Sequence, residues 1–384
     1  MIMSMTVIVK TMTRKTKPRH TKELSWKYGM LAVVLLGVLF TAAMHKSRPE
    51  TPRLPKPPLK ELARQKGIKV GNHAIRNHLN DKPYTDILKT EFDFVLADNT
   101  PNWYFTDGGL RPGPSEYNYK QMDEVLAFAE QNGMPVESHH YVWGEQKWLP
   151  EWLKKGNYSD EQTLQLMVDH IQTVGQHYSG RIAQWTVVNE PFTRSQHLYD
   201  LNDWWSDNTG GGFGYIDKAF YAARQADPKS KLLLNDFNNE SINDTSNLEY
   251  EYVKGALARG VPIDGIGMQM HLDGGHPPTK DEVVSNMKRF AGLGLDIYVT
   301  EFDVNMNDVK ADAKDKDQIQ GNIYYEMMLA CIESRVCKQF AYLGIADAET
   351  WYNHIGLKDP RPLMFDRNYK PKPAYYSTRA ALEK

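Results

Sequence analysis

An α/β fold built as a (β/α)8 barrel is the class this sequence predicts. Three observations carry it. Short apolar, β-branched runs alternate with amphipathic helical stretches through most of the chain. Eight such runs can be counted, and most end in polar or charged residues. From near residue 61 to the end, about 320 residues continue with no second linker and no internal repeat, a normal size for one barrel. A doubly wound open sheet is the alternative. It would place a glycine-rich phosphate turn after an early strand, and the chain has none.

Residues 1–27 set Lys10, Arg14, Lys15, Lys17, Arg19, Lys22 and Lys27 against Glu23 alone, a basic tail expected in the cytoplasm. Tyr28 to Met44 is an uncharged, mostly apolar run of 17 residues. It would span roughly 26 Å as a helix, just short of a hydrocarbon core of about 30 Å, and Lys27 with His45 or Lys46 can snorkel across the difference. It reads as a signal-anchor that tethers the rest outside the membrane. The rival is a signal peptide cleaved after Thr41-Ala42-Ala43, which would make the protein secreted. Residues 45–60 contain five prolines and read as a semi-rigid linker ahead of a catalytic domain over 61–384.

Strands are expected at Ile68–Gly71, Phe92–Ala97, Met134–His139, Ala183–Asn189, Lys231–Asn235, Ile263–Met270, Ile297–Glu301 and Lys338–Leu343. Helical periodicity fills gaps between them, as in Tyr119–Gln131, Glu161–Tyr178, Ile216–Ala226 and Leu248–Arg259. Chemistry in such a barrel gathers at the C-terminal strand ends. Those ends supply Asp98 and Asn99, His139 and His140 with Trp143 and Gln146, Asn189 and Glu190, and Asn235, Asp236 and Asn238. They continue with Gln269 and His271, Glu301 and Asp303, and Asp347 and Trp351. The run Trp185-Thr186-Val187-Val188-Asn189-Glu190 must stop at Pro191, and Ile297-Tyr298-Val299-Thr300-Glu301 repeats the arrangement. Two carboxylates at two strand tips are what acid/base cleavage of a glycosidic bond requires.

The net charge of −2, with no basic face outside the N-terminus, argues against nucleic acid as partner. Nine Trp, many in loop-like stretches, suit a surface on which sugar rings stack. His139-His140 lacks the His-x-His spacing of barrel metal enzymes, and adjacent strand residues point to opposite faces, so neither a metal nor a cofactor is expected. Cys331 and Cys337 are either a short-loop disulfide or two buried thiols.

These residues carry a resemblance. Trp185–Glu190 resembles the acid/base signature of glycoside hydrolase family 10, the endo-β-1,4-xylanase family, and Val299-Thr300-Glu301-Phe302-Asp303 resembles its nucleophile signature. Leu234–Asn238, Asp264–His271 and Phe365–Tyr375 are similar to its fifth strand, sixth strand and C-terminal segment. The resemblance covers roughly residues 65–384 and implies a retaining hydrolase of xylan. A monomer acting on a polysaccharide substrate is expected. It implies Glu190 as acid/base and Glu301 as nucleophile, with Asn189, His271 and Asp303 in support. Asp98, Asn99, Asn102, His140, Trp143, Gln146, Gln269 and Trp351 would bind sugar, and Cys331 would pair with Cys337. Another β-glycan, a decorated oligosaccharide, and an inactive carbohydrate-binding protein are the other readings; the last is disfavoured because both carboxylates are present. Three positions depart from the pattern: Gly144 stands for a His, Asn102 for a Lys and Leu343 for a Trp. Together they imply a weaker grip on plain xylose units, with room near Leu343 for a hydroxymethyl group or a side-chain decoration.

Overall fold

The computed structural model describes residues 51–98, 103, 109–195 and 203–384. Eight parallel strands close on themselves: β1 (Lys69–Ala74), β2 (Phe94–Asp98), β3 (Val136–Trp143), β4 (Gln184–Asn189), β5 (Lys231–Asp236), β6 (Gly265–Met268), β8 (Asp296–Asn305) and β9 (Cys337–Tyr342). β6 pairs with β8, and β9 returns to pair with β1, which closes the barrel. A short strand, β7 (His271–Asp273), runs parallel to the far end of β8, with His271 opposite Asp303. The strands are buried almost end to end, as expected of parallel sheets covered by helices.

Each expected strand is present, with instructive shifts. β1 runs past Gly71 to Ala74, so Asn72 and His73 enter the barrel. Gly71 is interior because the Phe94 ring lies where a Cβ would stand. The expected strand Ile263–Met270 divides: β6 ends at Met268, Met270 adopts φ 58, and His271 begins β7. The expected helices lie at Lys120–Gln131, Asp160–His177, Gly214–Ala226 and Asp244–Ala258. Two of these start at capping boxes, Ser159 with Gln162 and Asn243 with Ser246, which satisfy orphan N–H groups reciprocally.

The packed chain reaches back into the expected linker. Leu59, the first residue of the helix Leu59–Gln65, is fully buried, and its N–H donates to Glu91 Oε2 at 2.9 Å. Arg379, on the C-terminal helix Pro373–Glu383, donates to the carbonyls of Lys56 and Pro57. That helix packs on the long helix Ala313–Ser334. Cys331 at the end of the long helix is disulfide-bonded to Cys337 at the start of β9. The expected tail 1–27 and apolar segment 28–44 lie outside the described residues. Among the described residues no helix is long and apolar enough to cross a membrane.

Candidate active site

Glu190 follows β4 directly and takes φ 58, a left-handed conformation that costs a non-glycine residue on the order of 1–3 kcal/mol. Its surroundings hold it there. The Glu190 N–H donates to Asn235 O at 2.8 Å. Pro191 opens a short helix, Pro191–Ser195, whose N–H groups at Phe192 and Thr193 donate to Asp236 Oδ2 at 2.8 and 3.1 Å. Burial pushes the Asp236 carboxyl up to about 7, with the nearby Glu190 charge adding to it and these donors opposing it.

The Glu190 carboxylate is met unevenly. Oε2 accepts from Trp143 Nε1 at 2.7 Å and from Arg194 Nε and Nη2 at 3.0 and 2.8 Å. Oε1 accepts from Gln269 Nε2 at 3.2 Å. Arg194 also reaches Glu145 Oε2 at 3.3 Å and lies over the Trp143 ring.

Glu301 lies within β8. Its Oε1 accepts from Asn235 Nδ2 at 2.9 Å, and the same amide group donates to Asn189 Oδ1 at 2.7 Å. Thr300 Oγ1 donates to Asn235 Oδ1 at 2.8 Å, which fixes the orientation of that amide. Gly267 is required here, since a Cβ at that position would run into the Asn235 side chain. His139 Nε2 and His271 Nε2 each stand 3.5 Å from a Glu301 oxygen. Burial would raise the Glu301 carboxyl, but His139, His271 and His73 outweigh it and hold the group well below the usual carboxylate range. Burial would likewise lower His271. Asp303, 3.1 Å from its Nδ1, together with Glu301 pushes it up to about 10. Asp303 in turn accepts from Trp351 Nε1 at 3.0 Å and Tyr352 OH at 3.1 Å.

Most expected site residues therefore converge. Asn189, Glu190, Gln269, His271, Glu301 and Asp303 form one network, with Trp143 and Trp351 bound into it. His140 is buried beside Trp143 and His139, and neither of its ring nitrogens has a hydrogen-bond partner among the described residues. The ladder between β3 and β4 shifts register after His139, which breaks the strand alternation, so both His139 and His140 lie on the side of the site. Gln146 does not join the network; it is exposed, on the turn Gln146–Trp148. Asp98 ends β2, its side chain undescribed, and Asn99 and Asn102 lie outside the described residues.

The missing side chain at Gly144 leaves no open space behind it. A Cβ there would collide with the Asp203 side chain, and Trp204 N donates to Gly144 O at 3.2 Å. Asp203 is fixed by Tyr215 OH at 2.6 Å, so the segment from residue 203 fills the volume a side chain at 144 would take. Leu343 is half-buried at the end of β9.

Sequence reasoning misses Arg194, Glu145 and His73. Arg194 carries a signal, an Arg four residues after a Glu across the start of a helix. Glu145 carries none. His73 is lost by ending the first strand at Gly71.

The family model for glycosyl hydrolase family 10 matches residues 58–381. Endo-1,4-beta-xylanase B of Thermotoga neapolitana is 34% identical over 329 residues, covering 85% of this chain and 92% of that one. A thermostable celloxylanase of Thermoclostridium stercorarium is 33% identical over 316 residues, covering 76% and 79%. Xylanase 10B of Thermotoga petrophila RKU-1, solved in complex with xylobiose, superposes with TM-score 0.78 at 33% identity, covering 86% of this chain and 99% of that one.

Proposed function

The chain belongs to glycosyl hydrolase family 10, and we propose that it is an endo-β-1,4-xylanase that cleaves internal linkages of xylan by a retaining double displacement. Glu301 is the nucleophile and Glu190 the acid/base. The observation that carries this reading is the opposite company the two strand-tip glutamates keep. Glu301 stands among three histidines that favour its ionised form. Glu190 keeps one oxygen, Oε1, with a single neutral amide as its neighbour.

In the first step Glu301 attacks the anomeric carbon while Glu190 gives a proton to the glycosidic oxygen, and a glycosyl-enzyme forms. In the second, Glu190 takes a proton from a water whose oxygen bonds to the anomeric carbon and displaces the Glu301 carboxylate, which releases the sugar. Asn235 holds the attacking carboxylate and links it to Asn189, and the His271–Asp303 pair keeps positive charge beside it. His140, with both ring nitrogens free to meet a hydroxyl, and Trp143 and Trp351 at the rim would hold the sugar. Asp98, Asn99 and Asn102 would extend that surface. Tyr28–Met44 would carry the domain out of the cytoplasm. A mature N-terminus beginning just after Ala43 would identify a cleaved signal peptide; a retained one identifies an anchor.

The test follows product stereochemistry by NMR together with a reducing-sugar assay over a panel of β-glycans. Xylan should be the best substrate, and the first-formed product should be the β-anomer. Initial release of the α-anomer would rule out retention. Leu343 gives one reason to keep other β-glycans in the panel, since it is smaller than the indole it stands for. In Leu343→Trp the ratio of xylobioside to cellobioside hydrolysis should rise, and an unchanged ratio would remove that reason.

A further inference from the structure

We propose that Arg194 is a positioning residue that locks Oε2 of Glu190 and leaves Oε1 as the oxygen through which the catalytic proton passes. This rests on the reading of Glu190 as acid/base. Three N–H groups point at Oε2: the Trp143 indole and two from the Arg194 guanidinium. All three can only donate, so a proton placed on Oε2 would face donors and find no acceptor. Oε1 meets one donor, the Gln269 amide, at 3.2 Å. The neutral acid therefore carries its proton on Oε1, and the anion takes a proton back there. Lateral donation then comes from one oxygen in one geometry rather than from either of two.

Arg194 is well placed to hold this through both steps. Its side chain is 4% exposed, and it sits four residues after Glu190 with its guanidinium over the Trp143 ring. When Glu190 is protonated, the buried cation still has a counter-charge in Glu145. When Glu190 is ionised, the two carboxylates share it. Glu145 thus governs how much of the Arg194 charge falls on Glu190. The other titratable groups that feel the charge of Arg194 or Glu190 are His140 on β3, Asp236 on β5 and Asp203, and Glu301 on β8 reaches the cluster through His140. They remain in place in every variant below.

The consequence is a pair of opposite shifts. In Arg194→Gln the carboxyl loses its cation and holds its proton to higher pH, so the alkaline limb of kcat/KM should move up by about one unit. In Glu145→Gln the whole cation falls on Glu190, and the same limb should move down. Arg194→Lys, a point charge without the fork, should keep the limb near that of the parent. It should still lose kcat on substrates with poor leaving groups, because Oε2 is no longer locked. The measurement uses the full chain with aryl xylobiosides of good and poor leaving-group ability, beside Glu190→Ala as control. Limbs that move in opposite directions support the proposal. Limbs that stay together while activity falls would mean that Arg194 only braces the helix, and would overturn it. If Arg194→Gln does not fold, Glu145→Gln decides alone: a downward shift supports the proposal and no shift overturns it. If Glu190→Ala loses the same factor on good and poor leaving groups, the acid/base assignment itself fails. If Glu190→Ala behaves as an acid/base variant and the limbs do not separate, only the role of Arg194 fails.

Discussion

Glu137 and Glu301 are both buried glutamates on strands of one parallel barrel, at opposite ends of it, and they titrate in opposite directions. Glu137, on β3 near its start, is pushed up to about 8 by burial, with Gln339 and Lys69 opposing weakly. Glu301, toward the far end of β8, is held well below the usual range although burial acts on it the same way. The difference lies in the neighbours. Around Glu137 a cavity of about 480 Å³ is lined by Arg64, Lys69, Lys231 and Lys338, all exposed cations whose charges water and salt screen. Around Glu301, His73 and His139 are buried and His271 is only partly exposed, so water and salt screen their effect far less. Burial therefore makes a carboxyl's charge expensive, and buried donors decide whether it ionises regardless. One end of the barrel favours the neutral form of a buried glutamate; the other favours the ionised form.

The sharpest way to break this contrast is to neutralise each carboxylate in turn. Glu301→Gln keeps shape and loses charge, and kcat/KM should fall by at least about 10⁴-fold. Glu137→Gln should stay within about twofold of the parent in the same aryl xylobioside assay. Comparable losses would mean that the N-terminal end of the barrel takes part in the reaction.

A smaller effect separates burial from charge at Glu301. His271, pushed up to about 10, favours the ionised form of Glu301. In His271→Asn that support goes and the Glu301 carboxyl rises. The acid limb of kcat/KM should then move to higher pH by about one unit. An acid limb that stays put would show that His139 and His73 suffice.

The smallest effect concerns stability. The folded Glu137 binds its proton more tightly than the unfolded chain does. Its contribution is therefore fully present below the usual glutamate value near 4.5 and is lost as pH rises through about 8. Glu137→Gln has no proton to lose. Its Tm should match the parent within about 2 °C at pH 5 and exceed it by a few degrees at pH 9. A difference that does not change with pH would mean that Glu137 is charged in the folded protein.

Much of the site is legible in the sequence because of how parallel strands are written. Trp185–Glu190 and Ile297–Glu301 are apolar runs that stop at a carboxylate, and the fold sets both at the same end of the barrel. Other features are hidden by the same local logic. The helix Ala313–Ser334 buries Met327, Met328, Leu329, Ala330 and Cys331 in succession, between β9 and the C-terminal helix, so it lacks the polar stripe that marks a helix in a window. Gly71 reads as a strand end, and only the packed Phe94 ring shows why a glycine sits mid-strand there. The volume beside Gly144 is filled by Asp203, a residue about sixty positions away, which no local window connects to it. Arg194 follows a proline in a helix too short to show a period.

Trapping the intermediate is the most direct measurement of the central claim, that Glu301 is kept ionised in order to form a covalent bond to sugar. The full chain would be treated with a 2-deoxy-2-fluoro aryl xylobioside, whose glycosyl-enzyme forms faster than it breaks down, and then digested for peptide mass mapping. One fluorosugar should be attached, on Glu301. A label on any other carboxylate, or steady turnover of the reagent with no adduct, would contradict the claim.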